Sequence, residues 1–176
     1  MRFRLIAPLP LTAGAVVVLD QAAKAFVLHG LRLDSLGEIG VLPPYLVFRM
    51  AWNRGVNFGL LAQHGDLARW GLIAVALAIS TWVFLWVRRA RLGLAAQVAA
   101  GLLIGGALGN VIDRLAYGAV ADFLNMSCCG IDNPFSFNIA DVGVFLGAVG
   151  LVLFSGDKGA GGDSLPPGRA ADRNSP

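Results

Sequence analysis

Five groups of polar residues stand out because each interrupts, or directly borders, an apolar segment of this sequence. The groups are Asp20 with Lys24, the segment Asn53 to Gly59, Asn110 with Asp113 and Arg114, Asp122 alone, and Asn138 with Asp141. Carboxyl groups give and take protons, and asparagine and arginine side chains orient substrates or stabilise developing negative charge. These residue types indicate acid–base chemistry, although turns, helix caps and structural ion pairs use the same residues.

The sequence lacks the motifs that identify several other kinds of catalytic site. The sequence contains no GxSxG, HExxH, CxxC or Walker glycine loop, and His29 and His64 stand alone. Cys128 and Cys129 are adjacent and form neither a disulfide framework nor a metal-ligand set. We therefore expect no metal, no cofactor and no nucleic-acid partner.

The composition indicates that membrane helices must position these polar groups. The 176 residues are 56% hydrophobic and only 14% charged, with a mean hydropathy of +0.67. A soluble domain carries about 25% charged residues, so an ordinary soluble globule and a disordered chain are both excluded. The 23 glycines have no collagen period, and those at four-residue spacing, such as Gly101, Gly105 and Gly109, fit close helix packing in a membrane.

Four apolar segments approach the roughly 20 residues that a membrane helix needs. They cover about 9–28, 67–87, 92–112 and 137–154. We predict an all-α membrane protein with four transmembrane helices in residues 1–154, followed by a disordered tail over 155–176. The first segment also resembles a cleaved signal peptide, but three more spans follow it and we favour a retained helix.

Basic residues predict the orientation, and 8 of the 14 fall on one side of the four segments. These eight are Arg2, Arg4, Arg88, Arg89, Arg91, Lys158, Arg169 and Arg173. Both termini and the tail should therefore be cytoplasmic, with outer loops over 30–66 and 113–136 and short strands within 41–50. All five polar groups then gather at the outer face, whereas unrelated structural residues would scatter through the bilayer.

Two of the outer carboxyl groups can form a catalytic pair. Asp122 meets Asp141 if its loop folds back on the head of the fourth span. Two carboxyl groups in contact share a proton, and such a dyad hydrolyses peptides without a metal or a covalent intermediate. From spacing alone this is one option among several carboxylate pairs. Pairing of Asp20 with Lys24, and helix capping by Asn138 and Asp141, stay open as structural alternatives.

Five motifs resemble, in order and spacing, the lipoprotein signal peptidase (signal peptidase II) family of aspartyl peptidases. They are Asp20 with Lys24, NRGVNFG at 53–59, GGALGNVIDR at 105–114, VADFLN at 120–125 and FNIAD at 137–141. The resemblance implies four membrane helices with a small extracytoplasmic β-rich cradle. It also implies an endopeptidase of the bacterial inner membrane that cuts prolipoproteins just before a cysteine carrying diacylglycerol.

The resemblance assigns roles residue by residue. It places Asp122 and Asp141 in the catalytic dyad, and Asp20, Lys24 and Asp113 in structural support. The positions matching substrate-binding or site-shaping residues are Asn53, Gly55, Asn110, Arg114 and Asn138. It further implies a monomer that contacts prolipoprotein and membrane lipid, uses no cofactor, and is inhibited by globomycin-type cyclic peptides.

Two features depart from the family pattern. Asn57 stands where the family usually has a small residue, and the stretch 126–136 is longer than usual. Both lie near the expected substrate groove, so they concern the substrate and not the chemistry. A small transporter would favour charges spread across the bilayer and inverted repeats, which the sequence lacks. An assembly subunit held by its glycine faces would leave Asp122 without a role.

Overall fold

A computed structural model describes residues 7–55, 65–130 and 132–156. The helices are α1 (Pro8–Ala25), α2 (Leu33–Leu36), α3 (Gly65–Ala90), α4 (Leu94–Tyr117) and α5 (Ile139–Phe154), and the strands are β1 (Glu38–Leu42), β2 (Leu46–Asn53) and β3 (Val120–Asn125). A π-helical turn, Phe26–Gly30, extends α1. Arg2, Arg4, Asn57 and the predicted tail from residue 157 onward lie outside the described residues.

The described part of the chain is mostly helical, and three of the helices within it are long and apolar enough to cross a membrane. They cover Pro8–Gly30, Asp66–Ala90 and Leu94–Tyr117, with mean hydropathies of 1.6, 2.0 and 1.6. The fourth predicted span corresponds to α5, which is apolar but has only 16 residues. The prediction of four spans therefore stays a prediction.

Helix α4 is the centre of the bundle and packs against α1, α3 and α5. Its glycines allow backbones to touch. A Cβ at Gly101 would lie 2.6 Å from the carbonyl oxygen of Leu9, and a Cβ at Gly105 would lie 2.6 Å from that of Ala13. The predicted close packing through small residues is confirmed for the α1–α4 contact.

Gly109 makes the closest glycine contact with a charged group. A Cβ there would lie 2.7 Å from Oδ2 of Asp20. Overpacking costs about 1–3 kcal/mol, whereas Gly14, with nothing within 4 Å of its Cβ position, has only helix propensity to gain. We expect the free energy of unfolding of Gly109→Ala to be about 1–3 kcal/mol lower than that of Gly14→Ala. This difference should appear as a lower Tm in detergent. Equal Tm values would contradict the close contact.

The three strands form an antiparallel sheet in the order β1–β2–β3. The hairpin of β1 and β2 confirms the predicted short strands within 41–50. Strand β3 corrects the prediction that 113–136 is a loop, and it pairs with β2 so that Asp122 lies opposite Ala51. The sheet packs on the carboxyl end of α1 through a buried cluster that includes Val27, Leu28 and Phe123.

Two helix ends differ from their predicted positions. Helix α4 continues to Tyr117, beyond the predicted end at residue 112, so Asp113 and Arg114 are helical. Gly118, with φ +76°, ends the helix and donates its N–H to the carbonyl oxygen of Arg114. The stop signal is thus a glycine after the charged residues, and not the charged residues themselves. Helix α3 likewise includes Arg88 and Arg89, which were predicted in the following turn.

Candidate active site

Strand β3 and the head of α5 bring Asp122 and Asp141 to one place. Leu124 donates its N–H to the carbonyl oxygen of Phe137 at 2.8 Å, and Phe137 donates to Leu124 at 2.9 Å. This backbone pair lies directly before α5, so the first turn of that helix lies beside the strand that carries Asp122. Asp122 was predicted to reach the head of the fourth span if its loop folded back. The backbone bridge between Leu124 and Phe137 brings the two segments together.

Asn138 connects the two carboxyl groups. It caps α5 by accepting the Asp141 N–H on Oδ1 at 2.9 Å, and its own N–H donates to Oδ2 of Asp141 at 3.1 Å. Its Nδ2 donates to Oδ1 of Asp122 at 2.6 Å. Asn138 is fully buried. Its side-chain amide caps α5 and donates to Asp122, and its backbone N–H donates to Asp141, so this one residue bridges the two carboxyl groups.

Two further asparagines hold the outer sides of the pair. Asn110 donates from Nδ2 to Oδ1 of Asp141 at 2.8 Å and accepts from Asn138 on its own Oδ1 at 3.2 Å. Asn53 donates from Nδ2 to Oδ2 of Asp122 at 3.0 Å. Each carboxyl group is therefore held at both oxygens before any substrate arrives.

Gly55 explains how Asn53 is oriented. The Gly55 N–H donates to Oδ1 of Asn53 at 2.9 Å, which leaves Nδ2 of Asn53 directed at Asp122. Gly55 has φ +80°, and the side chain of Leu72 occupies the space that a Cβ at this position would need. A side chain at residue 55 would thus meet both backbone strain and a steric clash.

The pKa of Asp122 is raised to about 6, chiefly by burial and next by the negative charge of Asp141. The hydrogen bonds from Asn53 and Asn138, and the charge of Lys24, oppose this shift. Asp122 is only 3% exposed. Burial therefore favours the protonated form of the Asp122 carboxyl group.

A cavity of about 680 Å³ opens at Asp122. Of the residues predicted to bind or shape a substrate site, Asn53, Gly55 and Arg114 line it. Its walls also contain residues that sequence reasoning missed, namely Ala51, Trp52, Leu72, Pro134, Phe135 and Ser136. The only sequence signal for the last three was the unusual length of the 126–136 stretch.

Asn125 orders that stretch and was not singled out from the sequence, although it ends the VADFLN motif. It is 2% exposed, and its Nδ2 donates to the carbonyl oxygens of Asn133 at 2.8 Å and Phe135 at 2.9 Å. Phe135 itself is 69% exposed and forms part of the cavity wall. Cys128 and Cys129 are exposed, with their Sγ atoms 2.8 Å apart.

The three residues predicted to give structural support lie behind the carboxyl pair and are not among those lining the cavity. Nζ of Lys24 lies 2.7 Å from Oδ2 of Asp20 and 2.7 Å from Oδ2 of Asp113. The predicted ion pair on α1 is confirmed, and Lys24 also offsets the charge that Asp113 brings to the end of α4. All three side chains are buried.

Comparisons with known proteins agree on one family. The family model described as signal peptidase (SPase) II matches residues 12–156. A lipoprotein signal peptidase of Methylorubrum extorquens is 46% identical over 80% of this chain and 81% of its own. That of Methylobacterium radiotolerans is 42% identical over 91% of this chain and 86% of its own.

The fold also matches solved structures. One, described as a bacterial membrane enzyme, is 30% identical, covers 81% of this chain and 88% of its own, and superposes with a TM-score of 0.70. A second structure of the same description gives a TM-score of 0.68, with 81% of this chain and 84% of its own covered at 30% identity.

Proposed function

Because the chain belongs to the signal peptidase II family, we propose that it is an aspartyl endopeptidase acting on diacylglyceryl-modified prolipoproteins. It would remove the signal peptide by cutting just before the lipidated cysteine. The observation that carries the proposal is that buried Asn138 bridges the two carboxyl groups at the edge of a cavity, with its side-chain Nδ2 donating to Asp122 and its backbone N–H donating to Asp141.

The chemistry follows from the unequal surroundings of the two carboxyl groups. Asp122, with its raised pKa, holds the proton and donates it to the carbonyl oxygen of the scissile bond. The carboxylate of Asp141 takes a proton from water, and the water oxygen bonds to the carbonyl carbon. Collapse of the tetrahedral intermediate breaks the C–N bond, and the leaving nitrogen receives the proton held at Asp141 while Asp122 regains its own.

The residues around the pair orient the substrate. Arg114 and Asn53, whose side chains carry N–H donors, line the cavity beside Asp122, which suits the backbone oxygens of an extended peptide. Trp52 and Phe135 add apolar walls that suit the small and apolar residues of a signal peptide. Binding of globomycin-type cyclic peptides in the same cavity is a further part of the proposal.

We also propose a topology of four spans in residues 1–154, with α5 as the fourth. The sheet and the carboxyl pair lie at one end of the bundle, and Arg88, Arg89 and Arg91 lie at the other. The positive-inside rule then places the arginines and both termini in the cytoplasm and the cavity near the outer face of the bacterial inner membrane. A lipidated cysteine keeps its acyl chains in the bilayer, which brings its peptide bond to that depth. We propose that the protein acts there as a monomer.

The direct test is cleavage of a purified prolipoprotein in two forms, with and without the diacylglyceryl group on its cysteine. We expect the lipidated form alone to be cut, with mass spectrometry placing the new amino terminus at the cysteine. A chelator should leave the rate unchanged, because the proposed chemistry uses no metal. Equal cleavage of both forms would refute the substrate, and a rate lost to chelator and restored by Zn²⁺ would refute the mechanism.

The raised pKa of Asp122 predicts a pH dependence. The dyad works with Asp122 protonated, so kcat/KM should fall as pH rises through about 6, the pKa of this carboxyl group in the free enzyme. The hydrogen bond from Asn53 stabilises the ionised form and lowers this pKa, so Asn53→Ala should move the alkaline limb to higher pH. If the alkaline limb of Asn53→Ala stays at the same pH or moves to lower pH, the titrating group is not Asp122.

A further inference from the structure

The buried ion network formed by Asp20, Lys24 and Asp113 has contacts that helix packing alone does not require. Each of the two carboxylates binds Lys24 and also accepts one backbone N–H from another element. Oδ2 of Asp113 accepts from Ala121 at 3.1 Å. Oδ1 of Asp20 accepts from Ala140 at 2.9 Å, across 120 positions of sequence.

The two N–H groups stand in equivalent places. Ala121 directly precedes Asp122, and Ala140 directly precedes Asp141. One end of the network thus holds the strand that carries the first carboxyl group, and the other end holds the first turn of the helix that carries the second. Lys24, 2.7 Å from each carboxylate, joins the two ends.

We propose that Asp20, Lys24 and Asp113 are positioning residues that set the separation and orientation of Asp122 and Asp141. This inference rests on the proposed function and adds a role that general support of the fold does not include. The network fixes backbone and does not line the cavity, and the charge of Lys24 reaches Asp122 only through space. A charged carboxylate at the first turn of α5 is also favourable for the helix dipole, so the hold on Ala140 is a strong one.

Displacement of the backbone at Ala121 or Ala140 should mainly lower kcat. Misplacing a reacting group by about 1 Å can cost on the order of 100-fold in rate. Substrate binding depends on the cavity walls, which the network does not contact. A purely structural network would instead lower the amount of folded enzyme and leave kcat per folded molecule unchanged.

The two carboxylates offer a matched pair of substitutions, because their oxygens are used differently. In Asp20, Oδ1 serves Ala140 while Oδ2 serves Lys24 and Gln21. An asparagine at position 20 has one side-chain oxygen, so it loses the contact with either Ala140 or Lys24. In Asp113, Oδ2 serves both Ala121 and Lys24, and Oδ1 serves only Gln21. Asparagine at 113 therefore keeps the contact with Ala121, although both substitutions remove one buried charge.

The experiment measures kcat, KM and Tm for Asp20→Asn, Asp113→Asn and Asp113→Ala on the lipidated prolipoprotein. We expect Asp20→Asn and Asp113→Ala to lower kcat by about 30-fold or more with KM changed less than about threefold. Asp113→Asn should lower kcat several-fold less than Asp113→Ala. Val87→Ala, a buried change near the opposite end of α3, controls for lost stability and should leave kcat per folded enzyme unchanged.

Equal losses of kcat in Asp20→Asn and Asp113→Asn would overturn the positioning role. A comparable loss of kcat in Val87→Ala would also overturn it, because kcat would then depend on stability alone. If Asp20→Asn does not fold, the comparison of Asp113→Ala with Asp113→Asn decides in the same way. Failure of both Asp20→Asn and Asp113→Ala to accumulate, with Asp113→Asn as active as the parent, would assign the network to folding. None of these outcomes touches the proposed function, which depends on the lipid-dependent cleavage of the parent enzyme.

Discussion

Asp122→Asn should abolish cleavage of the lipidated prolipoprotein while the protein still inserts and folds. The asparagine side chain keeps the size of the carboxyl group but has no acidic proton to transfer. General acid–base catalysis contributes about 10²–10⁴-fold, and loss of one member of a shared pair should reach the upper part of this range. Asp141→Asn should lose activity to the same extent, because the general base is removed. The measurement is the single-turnover rate of purified enzyme.

Asp34→Asn is the matched control, since it makes the same change at an exposed carboxyl group on α2. It should leave the rate unchanged. The two test variants should differ from each other in stability. Both carboxyl groups accept hydrogen bonds at each oxygen, but Asp141 also completes the capping box in the first turn of α5, where the helix dipole favours its charge, so Asp141→Asn should have the lower Tm. Full activity in either test variant would end the dyad assignment.

Asn138→Ala should lose both turnover and stability, because this one side chain has two tasks. Loss of an N-cap costs about 0.5–2 kcal/mol. Loss of the Nδ2 donor to Asp122 at 2.6 Å frees that carboxyl group to move, and we expect kcat to fall about 100-fold. Rates and Tm values are measured on the same preparations.

Asn138→Ser separates the two tasks. Serine is a good N-cap and accepts the Asp141 N–H, but it cannot place a donor on Asp122. The serine variant should therefore regain most of the stability that alanine loses while its kcat stays about 100-fold down. If serine restores activity together with stability, Asn138 acts only as a helix cap.

Local spacing predicted the parts of the site whose partners are near in sequence. Asp20 and Lys24 are one helical turn apart, and their ion pair is present. Asn138 and Asp141 are three positions apart, and their capping box is present. In both cases the contact follows from helix geometry, which is the same wherever the helix lies in the fold.

Long-range pairing was not predictable from one sequence. Strand β3 exists because Val120–Asn125 pairs with β2, about 70 positions earlier, and six residues of mixed polarity give no strand signal by themselves. For the same reason the sequence could place Phe135 only in a long loop. Its position in the cavity wall depends on the carbonyl contacts made by Asn125.

The shortness of α5 bears on how water reaches the carboxyl pair. Its 16 residues rise about 24 Å at 1.5 Å per residue, which is about 6 Å less than the hydrocarbon core. A short apolar helix beside longer ones thins the lipid next to it. In the proposed topology, this thinning draws headgroups and water down to Asn138 and Asp141 at the head of the helix. The bilayer itself would then hydrate the site, and lipids of longer chain should slow the enzyme by withdrawing that water.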